Sequence, residues 1–166
     1  SQLDSFVECS QLTDRALAER YDMEHALKFF ALSRYPLGGK DVSDYLTESM
    51  EKLFLGDGVD TPVEAQKFKK LFNLLNSATG ESSFKRHNGS VFMGRFMDSA
   101  FEPIAVGLGA NIDDYEEGNQ SDIDIIKTKI VSLWSDAVML ANVGSGSNAK
   151  SRIPRLVELG IRHFKK

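Results

Sequence analysis

The sequence contains one cysteine, Cys9, and no long hydrophobic run. A single cysteine excludes an internal disulfide and a zinc site built from several thiolates, and it fits a reducing compartment. The longest uncharged, largely apolar stretch, residues 137–146, is about half of the ~20 residues that a membrane-spanning helix needs, and no signal segment opens the chain. We therefore expect a cytoplasmic protein without a membrane partner.

Residues with catalytic or metal-binding chemistry are scarce and scattered. His25, His87 and His163 lie far apart, and none has a second ligand at metal-site spacing. The acidic run 113–124 lacks the order of a calcium-binding loop, and no serine has the G-x-S-x-G surroundings of a hydrolase nucleophile. We predict neither a metal site nor a complete catalytic site in this chain.

Two glycine-containing segments approach nucleotide-binding patterns without completing them. Residues 144–151 match G-x-x-x-x-G-K-S except for Ala149, and residues 107–109 lack the third glycine of the dinucleotide fingerprint. Because neither segment follows a predicted strand, we interpret the first as an inter-helix linker and the second as a helix end capped by glycine. No cofactor is predicted.

The length and composition favour one folded domain. The chain has 166 residues, 42% of them hydrophobic and 27% charged, which is ordinary globular usage. Besides a less regular first piece, residues 3–19, apolar spacing and capping residues predict six helices. The first runs from Asp22 to near Tyr35, the second from Asp41 or Ser43 to Gly56-Asp57-Gly58, and the third from Thr61 to beyond Leu75. The fourth runs from Asp98 to Leu108, the fifth from Ser121 to Leu140, and the last from near Pro154 to near the C-terminus.

The predicted helices are amphipathic. In the predicted helix from Asp22, the apolar residues Met23, Ala26, Leu27 and Phe30 are expected to form the buried face. In the predicted helix from Ser121, apolar residues recur with helical spacing over about five turns. Ser90 to Phe92 suits an extended conformation, but no second strand is evident. Residues 1–166 are therefore expected to form a single all-α domain, an irregular bundle of about six helices.

Charge is unevenly distributed along a chain whose net charge is −4. Residues 113–124 hold six acids and no base, whereas residues 150–166 hold six Lys or Arg and one acid, Glu158. One interpretation is a solvated acidic loop and a basic helix. The other is a protein-interaction or oligomerisation module in which these two segments dock on a partner or on a second copy.

A third possibility is a nucleic-acid-binding helical domain. Bases and aromatic residues alternate between Phe84 and Phe96, an arrangement with which proteins hold nucleobases and phosphates. The alternative is that the rings dock into the core while the charges stay in water. The candidate contacts with nucleic acid are Lys85, Arg86 and Arg95, together with Arg152 and Arg155 near the C-terminus.

A family resemblance is carried by several segments. Residues 20–24, Arg-Tyr-Asp-Met-Glu, continue into Leu27-Lys28-Phe29-Phe30-Ala31-Leu32 and resemble an R-x-D-x-E…L-R-F-x-A-L segment. That segment belongs to the GmrSD-type proteins of modification-dependent restriction and phage defence in bacteria, which have a ParB/sulfiredoxin-like N-terminal half. Further matches are Tyr45 to Met50 in the next helix, Phe84 and Arg95 to Glu102 in the "F…F-E" region, and Ser151-Arg152-Ile153 at the start of the closing helix.

The resemblance implies that the chain is the helical C-terminal part of a larger protein, or a stand-alone relative that has lost the nuclease and NTPase parts. The family's D-G-Q-Q-R motif and its H-N-H nuclease segment are both missing here, so nucleotide-dependent DNA cleavage would reside outside this chain. The chain itself would be a non-catalytic accessory domain that contacts DNA through the parent protein. Within the motif, we expect a structural role: Asp22 caps the helix, Glu24 complements its dipole and Arg20 pairs with one of them.

Overall fold

Helices make up most of the structure, a computed structural model that describes residues 3–56, 58–144 and 147–166. They form an all-α bundle, as predicted. No helix in these ranges is both long and apolar enough to cross a bilayer. In chain order the helices are α1 (Asp4–Ser10), α2 (Asp14–Ala18), α3 (Tyr21–Arg34), α4 (Val42–Phe54), α5 (Thr61–Ala78), α6 (Asp98–Phe101), α7 (Gly107–Ala110), α8 (Gln120–Leu133), α9 (Ala137–Asn142) and α10 (Ala149–His163).

The starts of α3, α4 and α5 test the predicted caps. Of the two candidates for α4, Asp41 occupies the position before the helix, but its side chain makes no capping hydrogen bond in the described structure. Asp22 does not cap α3, because Arg20 precedes the helix in a left-handed conformation with φ of 64°. The cap of α5 is Asp60, whose carboxylate accepts the Val63 N–H at 3.2 Å, so the prediction of Thr61 was wrong by one residue. The predicted stop after α4 includes Asp57, which lies outside the described residues.

The predicted helix from Asp98 to Leu108 runs two residues further and changes pitch. α6 passes into a π-helical turn, Glu102–Val106, and then into α7. Pro103 lies in this turn, where it cannot donate a backbone hydrogen bond, so the wider turn fits its missing donor. Gly107 and Gly109 are not the left-handed caps that we predicted, since both are within α7 and have negative φ.

The long helix predicted from Ser121 to Leu140 is two helices. Asn119, not Ser121, caps α8, and the chain turns after Leu133. The carboxylate of Asp136 then accepts the N–H groups of Val138 and Met139 at 2.8 and 3.3 Å and starts α9. The prediction failed because the apolar period continues across a strong capping residue.

The last helix, α10, begins five residues before Pro154, where Asn148 caps it by accepting the Lys150 N–H at 2.9 Å. Pro154 is therefore inside the helix, and our predicted start was wrong. The linker predicted at 144–151 is only partly described, because residues 145 and 146 lie outside the described ranges. Its last three residues already belong to α10.

A short antiparallel hairpin interrupts the helices between α5 and α6. Strand β1 (Arg86–His87) pairs with β2 (Phe92–Met93), with Arg86 opposite Met93. The Asn88 side chain accepts the backbone N–H groups of residues 90 and 91 and so closes the turn. The missing second strand of the sequence analysis is thus β1, which is two residues long and shows no alternation that could reveal it.

The core lies between α5, α8, α10 and the α6–α7 helix. The α6–α7 helix and α10 cross at a very short distance. A Cβ atom on Gly160 of α10 would overlap the backbone of Pro103, and a Cβ atom on Gly107 would overlap the backbone of Gly160. The buried face of α3 differs from the predicted one. α3 buries His25, Lys28, Phe29 and Ala31, whereas Met23 is exposed. The first piece, residues 3–19, is divided into α1 and α2.

Candidate functional site

Five ionisable side chains meet in what we call the ionic cluster: His25 and Lys28 of α3, Asp98 of α6, Glu102 of the π-helical turn that follows α6, and Arg152 of α10. Residues three or four apart on a helix share a face, so each of the first two helices presents a pair toward the other. The three segments are separated by about 50 to 70 residues along the chain. The fold, not local sequence, brings these groups together.

Glu102 is the centre of the ionic cluster and has no exposed surface. Its Oε1 accepts hydrogen bonds from Lys28 Nζ and Arg152 Nη2, each at 2.8 Å, and its Oε2 accepts one from Arg152 Nε at 3.0 Å. Burial alone lowers the pKa of Lys28, but the carboxylates of Glu102 and Asp98 outweigh it and raise that pKa above its ordinary value. The hydrogen bonds to Glu102 likewise raise the pKa of Arg152.

Asp98 forms the outer edge of the cluster, with 56% of its side chain exposed. Its Oδ1 lies 3.1 Å from Lys28 Nζ and 3.2 Å from His25 Nε2. The other ring nitrogen of His25 faces the Tyr21 carbonyl at 2.6 Å, so a ring with a proton on each nitrogen satisfies both contacts. The hydrogen bond from His25, joined by the charge of Lys28, holds the pKa of Asp98 well below its ordinary value.

The carboxylate of Glu102 is fully engaged by other side chains of the ionic cluster. Both oxygens of Glu102 are occupied by cationic donors, so neither can accept a substrate proton without breaking an internal pair. The other buried nucleophile candidate is Cys9. Burial raises the pKa of its thiol to about 12, which keeps it protonated and inert at neutral pH.

The residues of the R-x-D-x-E motif do not make the predicted internal contacts. Arg20 contacts the sulfur of Met23 at 3.7 Å, and no ion pair joins it to Asp22 or Glu24 in the described structure. Glu24 is exposed. One carboxylate oxygen of Asp22 is buried, and no group in the described residues donates a hydrogen bond to it. These three charges, with the exposed Met23, form what we call the motif surface.

The five predicted nucleic-acid contacts are in different surroundings. Lys85 lies 3.5 Å from Glu81, and Arg152 is bound to Glu102, so two of them already have anionic partners. Arg86, Arg95 and Arg155 are exposed. Among these three, only Arg86 lines a cleft with a second cation, Lys127, which the sequence analysis did not select.

The aromatic residues of the same segment belong largely to the core. Phe84 is buried, and its ring packs at 5.2 Å from Phe101 and 5.5 Å from the half-buried Phe96. Phe92 packs against His87 on the hairpin. The rings of Phe84 and Phe96 therefore dock into the core, as the alternative to base stacking predicted.

The acidic loop and the basic C-terminal segment contact each other within the chain. Lys166 Nζ lies 2.5 Å from Asp122, and the Tyr115 hydroxyl donates to the Phe164 carbonyl at 2.6 Å. Lys166 and Asp122 therefore already neutralise each other without a second copy.

Comparison of the chain with protein-family models, with curated proteins and with solved structures finds no match. The interpretation of these sites therefore depends on their own geometry.

Proposed function

We propose that the chain is a non-catalytic helical accessory domain of a GmrSD-type restriction or phage-defence protein, acting in the bacterial cytoplasm beside a nucleotide-dependent nuclease half. One observation carries the proposal. The segments that resemble the family at residues 20–32, 95–102 and 151–153 supply Lys28, Glu102 and Arg152, the three charges at the centre of the ionic cluster.

The charges in the resembling segments make the resemblance more specific than its apolar positions do. Lys28 occupies the position of the basic residue in L-R-F-x-A-L, so the cation is kept although its type differs. Glu102 is the acid of the "F…F-E" region, and the two side chains form a buried ion pair. Apolar positions match between many helical proteins, whereas a pair of matched, buried and opposite charges is rare.

The motif surface supplies the docking face for the nuclease half. Asp22 and Met23 line a cleft of about 820 Å³ whose other walls include Leu46 and Met50. The unpartnered oxygen of Asp22 calls for a hydrogen-bond donor, since a buried acceptor left without one costs free energy. The occupant is therefore a segment of the N-terminal half that places an N–H donor or a cation beside apolar side chains.

The first experiment separates catalysis from support. The purified chain is incubated with ATP or GTP and modified phage DNA, alone and with a D-G-Q-Q-R-containing N-terminal half from the same genome. We expect neither NTP hydrolysis nor DNA cleavage by the chain alone and increased activity of the half when the chain is added. Turnover by the chain alone would show that it is catalytic, and the absence of any effect on the half would remove the proposed partnership.

The second experiment tests the docking face by binding of the same N-terminal half to the immobilised chain. Asp22→Arg should weaken binding about tenfold or more, as expected for loss of a well-placed interfacial contact. Glu158→Arg reverses an exposed charge on α10 and is the matched control, expected to bind as the parent chain does. Equal binding by both variants would exclude the motif surface as the docking face.

A further inference from the structure

A cleft of about 530 Å³ separates the β-hairpin from the C-terminal half of α8 and from α9. The hairpin contributes Arg86, His87 and Asn88, and α8 contributes Lys127 and Ser132. Leu140 of α9 lies on the same rim. We call this feature the basic cleft.

The basic cleft carries positive charge, whereas the net charge of the chain is negative. The chain carries 24 acids against 20 bases, yet none of the described Asp or Glu residues lines the cleft. Arg86 and Lys127 are exposed, and neither makes an ion pair within the described residues. Two cations in a cleft without a carboxylate produce a local positive potential, which attracts an anion from solution.

Hydrogen-bond donors in the lining are also left without acceptors. The Nδ1 atom of His87 accepts the Gly89 N–H at 3.1 Å, which leaves the proton on Nε2. The Asn88 carbonyl oxygen is used inside the turn, which leaves its NH₂ group as a donor. Trp134 is only 5% exposed, and its indole N–H has no acceptor in the described part of the chain. Because this N–H is itself buried, the lining donors within reach of a ligand include those of His87 and Asn88 and not the indole N–H.

Apolar atoms complete the lining. Val131, Trp134 and Leu140 are among the lining residues, and Leu140 is about half exposed although it is aliphatic. A ligand that suits both parts has anionic oxygens for Arg86 and Lys127 and a flat, weakly polar group for this surface. We propose that the basic cleft binds a nucleoside phosphate, either free or as a unit of a nucleic-acid strand.

The proposal is independent of the family resemblance, because it rests on the lining of the basic cleft alone. It also reassigns the nucleic-acid contacts. Arg86 remains, Lys127 is added, and Arg152 is excluded because Glu102 holds its guanidinium.

Trp134 is the sole tryptophan of the chain, so its fluorescence reports directly on the basic cleft. The full chain is titrated with AMP in one arm and with a short single-stranded oligodeoxynucleotide in the other. We expect a saturable change in emission in at least one arm. Similar affinity per nucleotide would identify a site for the free nucleotide, and much tighter binding of the oligonucleotide would identify a strand.

The variant Arg86→Ala/Lys127→Ala should weaken binding about tenfold or more and, in the strand case, lower the slope of log K against log salt by about 1.4. Lys52→Ala/Lys69→Ala removes the same charge from exposed positions outside the cleft and is the control, expected to bind within about twofold of the parent chain. Circular dichroism verifies that both variants are folded. Unchanged binding by the cleft variant, equal loss in the control, or no binding in either arm would overturn the proposal.

Discussion

Lys28 and Arg152 in the ionic cluster and Arg86 and Lys127 in the basic cleft are two pairs of cations with opposite surroundings. In the ionic cluster Lys28 and Arg152 converge on one fully buried carboxylate that accepts from both. In the basic cleft Arg86 and Lys127 face solvent with no carboxylate in the lining. We infer from this difference that Lys28 and Arg152 serve the fold, whereas Arg86 and Lys127 remain available to a ligand.

The largest expected effect comes from removing the acid of the ionic cluster. Glu102→Ala leaves Arg152 without its anion and Lys28 with only the half-exposed Asp98, which should lower the free energy of unfolding by about 3–5 kcal/mol. Urea unfolding followed by circular dichroism measures it. Glu158→Ala, at an exposed position on α10, should change that free energy by no more than about 0.5 kcal/mol. A loss below about 1 kcal/mol for Glu102→Ala would contradict a stabilising role for the cluster.

The next effect tests the crossing that holds α10, and with it Arg152, against the α6 helix. Alanine favours a helix over glycine by about 1 kcal/mol, but a Cβ at Gly160 would overlap the Pro103 backbone. Separating the two helices should outweigh the helical gain, so Gly160→Ala should destabilise by about 1–3 kcal/mol. Arg155→Ala, exposed on the same helix, is the control. Increased thermal stability of Gly160→Ala would show that the crossing is not tight.

The smallest effect concerns pH. A carboxylate whose pKa is lower in the folded chain stabilises the fold above its unfolded pKa, and this contribution disappears as pH falls through the folded value. The contribution of Asp98 is therefore present above about pH 4 and declines below it. Because 56% of its side chain is exposed, we expect no more than about 1 kcal/mol at pH 7.

Unfolding of the parent chain and of Asp98→Asn from pH 7 down to strong acid measures this contribution. The difference between the two proteins should narrow on acidification. Asp113→Asn, an exposed acid, should show no such trend. A difference that stays constant or widens in acid would mean that Asp98 is not held ionised by His25 and Lys28.

The sequence predicts the fold well where local signals decide it. Apolar spacing and end signals located α3, α4 and α5 to within a residue or two at most ends. The same approach failed for α8, since an apolar period does not reveal a turn that Asp136 creates by capping a new helix. It also missed β1, whose two residues pair only because the chain folds back on itself.

The ionic cluster was not predicted, because apolar periodicity assigns charged residues to the surface. One signal was present: Glu102 is the single charged residue between Asp98 and Asp113, inside an apolar stretch. A lone acid in such surroundings requires a cation from elsewhere. The partners Lys28 and Arg152 could not be chosen from sequence, since pairing them requires the relative positions of three helices.

The basic cleft was half predicted. Arg86 was selected from its basic and aromatic neighbours, and as a nucleic-acid contact it stays a prediction, although Phe84 among those neighbours is a core residue. Lys127 lies on the solvent side of α8, where a single lysine carries no signal. Lys127 becomes a candidate because the fold places the hairpin beside α8, so that Lys127 and Arg86 line the same cleft.

The most direct test of this division of charge is to measure Arg86→Ala/Lys127→Ala for both stability and binding. The free energy of unfolding should stay within about 0.5 kcal/mol of the parent value, because no internal partner is lost. Oligonucleotide or AMP affinity, measured by Trp134 fluorescence, should fall about tenfold or more. Retained affinity, or a loss of stability approaching that of Glu102→Ala, would contradict the account.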